Sequence, residues 1–330
     1  MGTKMKAKIS TLKIAFITIF IMFMANTSLA FDNCTLNSDK QVTTSMSGVS
    51  ESFCLIDPTH RKVEAYKIGL CTELPYANNY KTVCDFIYNS STPIVLEAEK
   101  GISKAVSGFG DITLIEGKEY THSVMLISNK TYVKSLIQFP STRLGATGKG
   151  GTGSGTWCWS SGGGVNLSVS NTFVSSRSTF TATCGTETEA NPVYNFELSN
   201  SFASAVSGED KPAVERNFPT WSADASHTNR GWSNELMSDE DTKAVFNTTP
   251  ASWSDATTNS VYWLAGRPIN PSVSVTATNN TLDLRFLVSY GALIQYSGDS
   301  DSGVWDTECD TTPCIGMIRT GGFDTNVTIE

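Results

Sequence analysis

"EYTHSVMLIS", residues 119–128, reads as a strand: Tyr120, His122, Val124 and Leu126 fall on one face of an extended chain. The same period of two recurs outward from it. Tyr66, Ile68 and Leu70 alternate with Lys67 and Gly69, and "PIVLEAE" (93–99) and "DITLI" (111–115) are β-branched or apolar runs bounded by turn residues. Further along, Val165/Leu167/Val169, Phe180/Ala182/Cys184 and Leu282/Leu284/Phe286/Val288 repeat the pattern. After residue 30 no window carries apolar residues at i, i+3, i+4 and i+7 over three turns. Short strands between Gly, Ser, Asn and Thr clusters predict an all-β protein of antiparallel, sandwich-like sheets.

The expected organisation is two domains. All seven tryptophans lie beyond residue 156, just after "GATGKGGTGSG" (145–155). Residues 31–140 are therefore read as an N-terminal β-sandwich, 141–156 as a glycine-rich linker and 157–330 as a tryptophan-containing β domain. Within the latter, residues 199–260 are irregular, rich in Ser, Asp, Asn, Pro and Trp. Only Ser238-Asp239-Glu240-Asp241 before "TKAVF" looks like a helix start, with Ser238 as cap and acids in the first turn.

Gly148 to Gly153 satisfies G-x-G-x-x-G, the pattern of a phosphate-cradling loop. Such a loop needs a helix after it, whose amides and dipole hold the phosphate. Here Trp157-Cys158-Trp159 and a strand-like run follow, and Lys149 precedes Gly150 rather than Ser or Thr. The nucleotide reading fails, and a flexible connector is expected instead.

Residues 1–30 read as a signal peptide. Lys4, Lys6, Lys8 and Lys13 precede the apolar run 14–25, and Ser28-Leu29-Ala30 supplies small residues at −3 and −1. No later apolar stretch has the length of a membrane span, so a secreted, periplasmic or cell-surface protein is expected. Removing four lysines leaves 20 basic against 32 acidic residues, a net charge of −12. That balance and the absence of a basic run argue against nucleic acid as a partner.

Eight cysteines in an exported chain read as disulfides. Their spacing predicts the couples Cys34–Cys54, Cys71–Cys84, Cys158–Cys184 and Cys309–Cys314. Zinc at Cys309-x4-Cys314 lacks a second cysteine pair or a histidine cluster to complete it. The three histidines share no metal spacing: His122 reads as structural within its strand, and His60 and His227 as solvated in polar loops. There is no G-x-S-x-G elbow. "GDSDSG" (298–303) makes Asp299 and Asp301, with Asp306 nearby, a candidate calcium array, without the spacing of an EF-hand; a solvated acidic turn is the plainer reading. Trp221, Trp232 and Trp253 sit in the irregular segment, as candidate sugar-stacking residues or as rings buried against the second domain. N-x-S/T triplets, Asn33 and Asn129 among them, match chance in so Ser/Thr/Asn-rich a chain.

Residues 63–129 resemble the transthyretin-like or Cna-B-like β-sandwich modules of secreted and surface proteins. The carrying stretches are "VEAYKIGLC" and "VLEAEKGISKAVSGFGDITLIEGKEYTHSVMLIS", with Leu114, Gly117 and Tyr120 in a strand–turn–strand. "YKIGLCTELP", a following cysteine and the "YTH" strand are also similar to exported marine bacterial proteins of unassigned function. These resemblances imply a scaffold or binding role and bring no catalytic residues. The expected function is a non-enzymatic structural, adhesive or assembly protein, partnered by protein or by further copies of itself. The alternatives are a carbohydrate-binding protein and, behind it, a secreted hydrolase.

Overall fold

The computed structural model describes residues 33–43, 52–102, 115–147, 151–166, 182–198, 202–203, 221–222, 233–244, 260–276, 282–287, 292–296, 309, 312–320 and 324–329. The protein is all-β. Its strands are β1 (Ser52–Ile56), β2 (His60–Cys71), β3 (Cys84–Glu99), β4 (Glu119–Lys134), β5 (Leu136–Gly145), β6 (Thr152–Asn166), β7 (Ala182–Gly185) and β8 (Val193–Leu198). There follow β9 (Phe202–Ala203), β10 (Trp221–Ser222), β11 (Ser233–Met237), β12 (Tyr262–Ser274), β13 (Leu282–Leu287), β14 (Ala292–Tyr296), β15 (Cys314–Thr320) and β16 (Asp324–Ile329). One short helix, α1 (Tyr80–Val83), lies inside the Cys71–Cys84 loop.

Twelve strands join one mixed sheet in the order β1-β14-β15-β5-β6-β8-β4-β12-β11, with β2 and β3 added beside β4 and β7 beside β6. Most neighbours are antiparallel; β15–β5 and β6–β8 are parallel. Strands β9–β10 and β13–β16 form two small separate ladders.

Strand β4 is the centre of this arrangement. It pairs with β2 along its length, with β12 through its first half and with β8 through its second. The sequence places Val124 and Leu126 on one face, and the opposite face is buried too. Met125 and Ile127 join Val63, Ala65, Ile68, Leu96, Leu284 and Val327 in one core, whereas Val124 and Leu126 pack with Tyr80, Met237 and Leu264 in another. A strand covered on both sides carries a continuous apolar run rather than a clean alternation.

Pairings cross the expected 141–156 boundary repeatedly: β1 with β14, β4 with β8 and β12, and β15 with β5. The expected linker is itself largely strand, since Leu144 and Gly145 end β5 and Thr152 to Thr156 begin β6. Its glycines serve close packing. A Cβ on Gly155 would fall 1.9 Å from the Gly185 carbonyl oxygen, and one on Gly153, at φ +78°, 2.2 Å from that of Cys184. Only a bare backbone fits against β7 there. Residues 148–150 lie outside the described residues.

Two further expectations are corrected. Ser238–Thr242 is a tight turn rather than a helix start: Ser238 N–H donates to the Thr242 carbonyl, and Ala244 N–H to that of Leu236. The Asp239 carboxylate accepts from the amides of Asp241 and Thr242, both at 2.7 Å. A short acid that satisfies local amides this way competes with helix formation. His60, expected in a solvated loop, opens β2 with its side chain 22 % exposed, 3.7 Å from Glu99.

All four expected disulfides are formed: Cys34–Cys54, Cys71–Cys84, Cys158–Cys184 and Cys309–Cys314. Such bonds persist in oxidising compartments outside the cytoplasm. Among the described residues no helix is long and apolar enough to cross a membrane.

Candidate functional site: an aromatic and lysine face

The most distinctive surface lies across β3, β2, β4, β8 and β6. In register, Glu97 opposes Lys62, Lys62 opposes Tyr132, Tyr132 opposes Phe196, and Phe196 opposes Gly164. At strand spacing this row spans about 19 Å. Lys130, Tyr132 and Lys134 alternate with buried Thr131 and Val133 on β4, while Tyr194 and Phe196 alternate with buried Asn195 and Glu197 on β8. The rings and ammonium groups therefore share the outward side, half-buried.

They interleave. The Lys62 ammonium lies 4.2 Å from the Tyr132 ring centroid and 4.6 Å from that of Tyr194. Lys130 sits 4.1 Å over Phe196 and 5.3 Å over Tyr132, and Lys134 lies 5.3 Å over Tyr194. The two tyrosine rings meet edge to face at 6.3 Å, and His60 meets Tyr194 likewise at 6.4 Å. Each such contact is worth about 0.5–1 kcal/mol at an exposed site.

Tyr194 donates to Glu97, His60 lies 3.7 Å from Glu99, and Glu64 carries its charge beside Tyr132. Burial, then these acids, push both phenols above their ordinary range. Lys62, Lys130 and Lys134 join no ion pair among the described residues.

Beneath the face lies a buried polar layer that fixes it to β15. Glu197 accepts from the Thr320 amide at 2.9 Å and from its hydroxyl; Thr131 donates to the Thr320 hydroxyl at 3.2 Å. Asn195 donates to the Ile318 carbonyl at 2.9 Å. Arg61 is fully buried, and desolvation lowers its pKa to about 10, with Glu197 acting in the opposite direction. Buried hydrogen bonds that join strands in this way hold them in one arrangement.

The backbone of Trp221 lies in β10, while Trp232, Trp253, Asp299, Asp301, Asp306 and His227 fall outside the described residues. Among the described residues no group of three or more His, Cys, Asp or Glu side chains could hold a metal ion. His122 lies in β4 beside Thr121 Oγ1 at 2.8 Å, and burial lowers its pKa. From the resemblance motif, Gly117 makes a turn at φ +83° and Tyr120 donates to Asp85 at 2.6 Å; Leu114 lies outside the described residues.

The face itself escaped sequence reading, although "NKTYVK" and "VYNF" carry the signal: aromatic or basic residues at i and i+2. What was missing is the partner strand. No protein-family model, curated protein or solved structure matches the chain.

Proposed function

We propose that the protein is an exported, non-enzymatic component of the cell surface or extracellular space, which adheres to a partner surface through the β2–β4–β8 face. The observation that carries this reading is the in-register row of Lys62, Tyr132 and Phe196, flanked by Lys130, Lys134 and Tyr194. Half-exposed aromatic rings beside cations are the side chains that dominate recognition surfaces. The buried Glu197–Thr320 layer holds the row rigid, which lowers the ordering cost of binding. Four disulfides suit a chain that works outside the cell.

The test is attachment of producing cells, compared between a strain lacking the chain and strains restored with the wild type or with Lys62→Gln/Lys130→Gln/Lys134→Gln. Attachment restored by the wild type alone supports the proposal. Attachment that is indifferent to deletion overturns it.

A further inference from the structure

We infer that the face takes an acidic polysaccharide, a chain of uronate or sulfated sugars laid over β4, β8 and β6. This rests on the adhesive reading above and names its ligand class.

Three features converge on such a chain. The first is the set of half-exposed rings, Tyr132, Tyr194 and Phe196, because the C–H face of a sugar ring packs on an aromatic plane. The second is charge. In a protein of formal net charge −8, Lys62, Lys130 and Lys134 gather around these rings without an ion-pair partner among the described residues. Of the acids beside them, Glu97 accepts from Tyr194 and Glu99 lies 3.7 Å from His60. The ammonium groups remain hydrated point charges able to exchange water for a carboxylate or sulfate.

The third feature is a glycine flank, described for β6 as far as Asn166. On β6, Ser161 opposes Val193, Gly163 opposes Asn195 and Gly164 opposes Phe196. The run Gly162-Gly163-Gly164 raises no side chain of its own beside the aromatic strand, so among the described residues an extended ligand can continue past Phe196 along this backbone. Along β4 the order Lys130, Tyr132, Lys134 alternates charge and ring, as a uronate chain alternates sugar faces with carboxylates. Three lysines, with no basic run anywhere in the sequence, do not make the continuous positive groove that tracks a nucleic-acid backbone.

The experiment measures binding of folded, oxidised protein to alginate, dextran sulfate, neutral dextran and a single-stranded oligonucleotide at about 0.15 M salt. Alginate reports carboxylate recognition and dextran sulfate reports sulfate. The expected result is binding of one or both, with neutral dextran and the oligonucleotide at least about tenfold weaker. Lys62→Gln/Lys130→Gln/Lys134→Gln should weaken polysaccharide binding by about tenfold or more, and Phe196→Ala should weaken it without removing a charge. The control Lys40→Gln, at an exposed position with no ring contact among the described residues, should bind as wild type.

Absence of polyanion binding, equal binding of neutral dextran or the oligonucleotide, or undiminished binding by a triple variant that melts like the wild type would each overturn the inference. Cells that lose attachment with the triple variant, while the wild-type protein ignores both polysaccharides, would overturn the ligand class and leave the adhesive reading standing. Polysaccharide binding by a chain whose deletion leaves attachment unchanged would support the ligand class and overturn adhesion.

Discussion

Lys62 and Tyr132 stand directly opposite one another on β2 and β4, with the Lys62 ammonium 4.2 Å from the Tyr132 ring centroid. The same ammonium reaches Tyr194 on β8, so one lysine ties three strands together on the outer side of the sheet. Directly below, Arg61 and Glu197 occupy the inner side of β2 and β8. The face and its foundation are thus alternate residues of the same strands.

That foundation is testable. Arg61→Met leaves Glu197 buried without the charge that offsets it, and is expected to lower stability by about 3–5 kcal/mol. Adding Glu197→Gln removes the orphaned charge while keeping an acceptor for the Thr320 amide, and should recover a large part of the loss. Urea unfolding of the single and double variants measures both. Additive losses would argue against coupling.

The glycine-rich stretch offers a second test. Gly155→Ala drives a Cβ into the Gly185 carbonyl and is expected to cost about 1–3 kcal/mol. Gly117→Ala meets no atom within 4 Å but sits at φ +83°, so it should cost about 1 kcal/mol from backbone strain alone. Paired thermal melts compare the two. A flexible connector at residue 155 would tolerate alanine without loss.

Alkaline pH gives a third. Burial raises Tyr66, Tyr80, Tyr120, Tyr132 and Tyr194, and Tyr120 is pushed up to about 12. The native state keeps these protons where the unfolded chain releases them near pH 10. The stability they contribute is present below that pH and is lost as pH rises towards 12. Arg61 acts with the opposite sign: its depressed pKa lets the native state release a proton above pH 10 that the unfolded chain still holds. Five phenols outweigh one guanidinium, so the urea midpoint should fall from about pH 10 upward. Tyr194→Phe should make that fall shallower.

The parts of the fold that were legible in the sequence are local. Each disulfide couples near neighbours in the chain, and the alternations at 66–70, 93–99 and 119–128 all lie in strands. What could not be read is which strands meet. Tyr132 and Phe196 are 64 positions apart, and nothing in "TYVK" names "VYNF" as its partner. Gly155 reads as a connector because the neighbour that demands it, Gly185, is invisible to a local reading. Ser238 carries the residues of a helix cap, yet Asp239 uses its carboxylate to close a turn instead. The face was missed for the same reason as the sheet order: each strand supplies only two or three of its residues.

Lysine footprinting shows whether this face makes the contact. Producing cells attached to their partner surface, and the same cells in suspension, are acetylated briefly, the protein is digested, and each lysine is quantified by mass spectrometry. Lys62, Lys130 and Lys134 should react several-fold more slowly when attached, with exposed Lys40 unchanged. Equal labelling of the three lysines in both states would contradict the account.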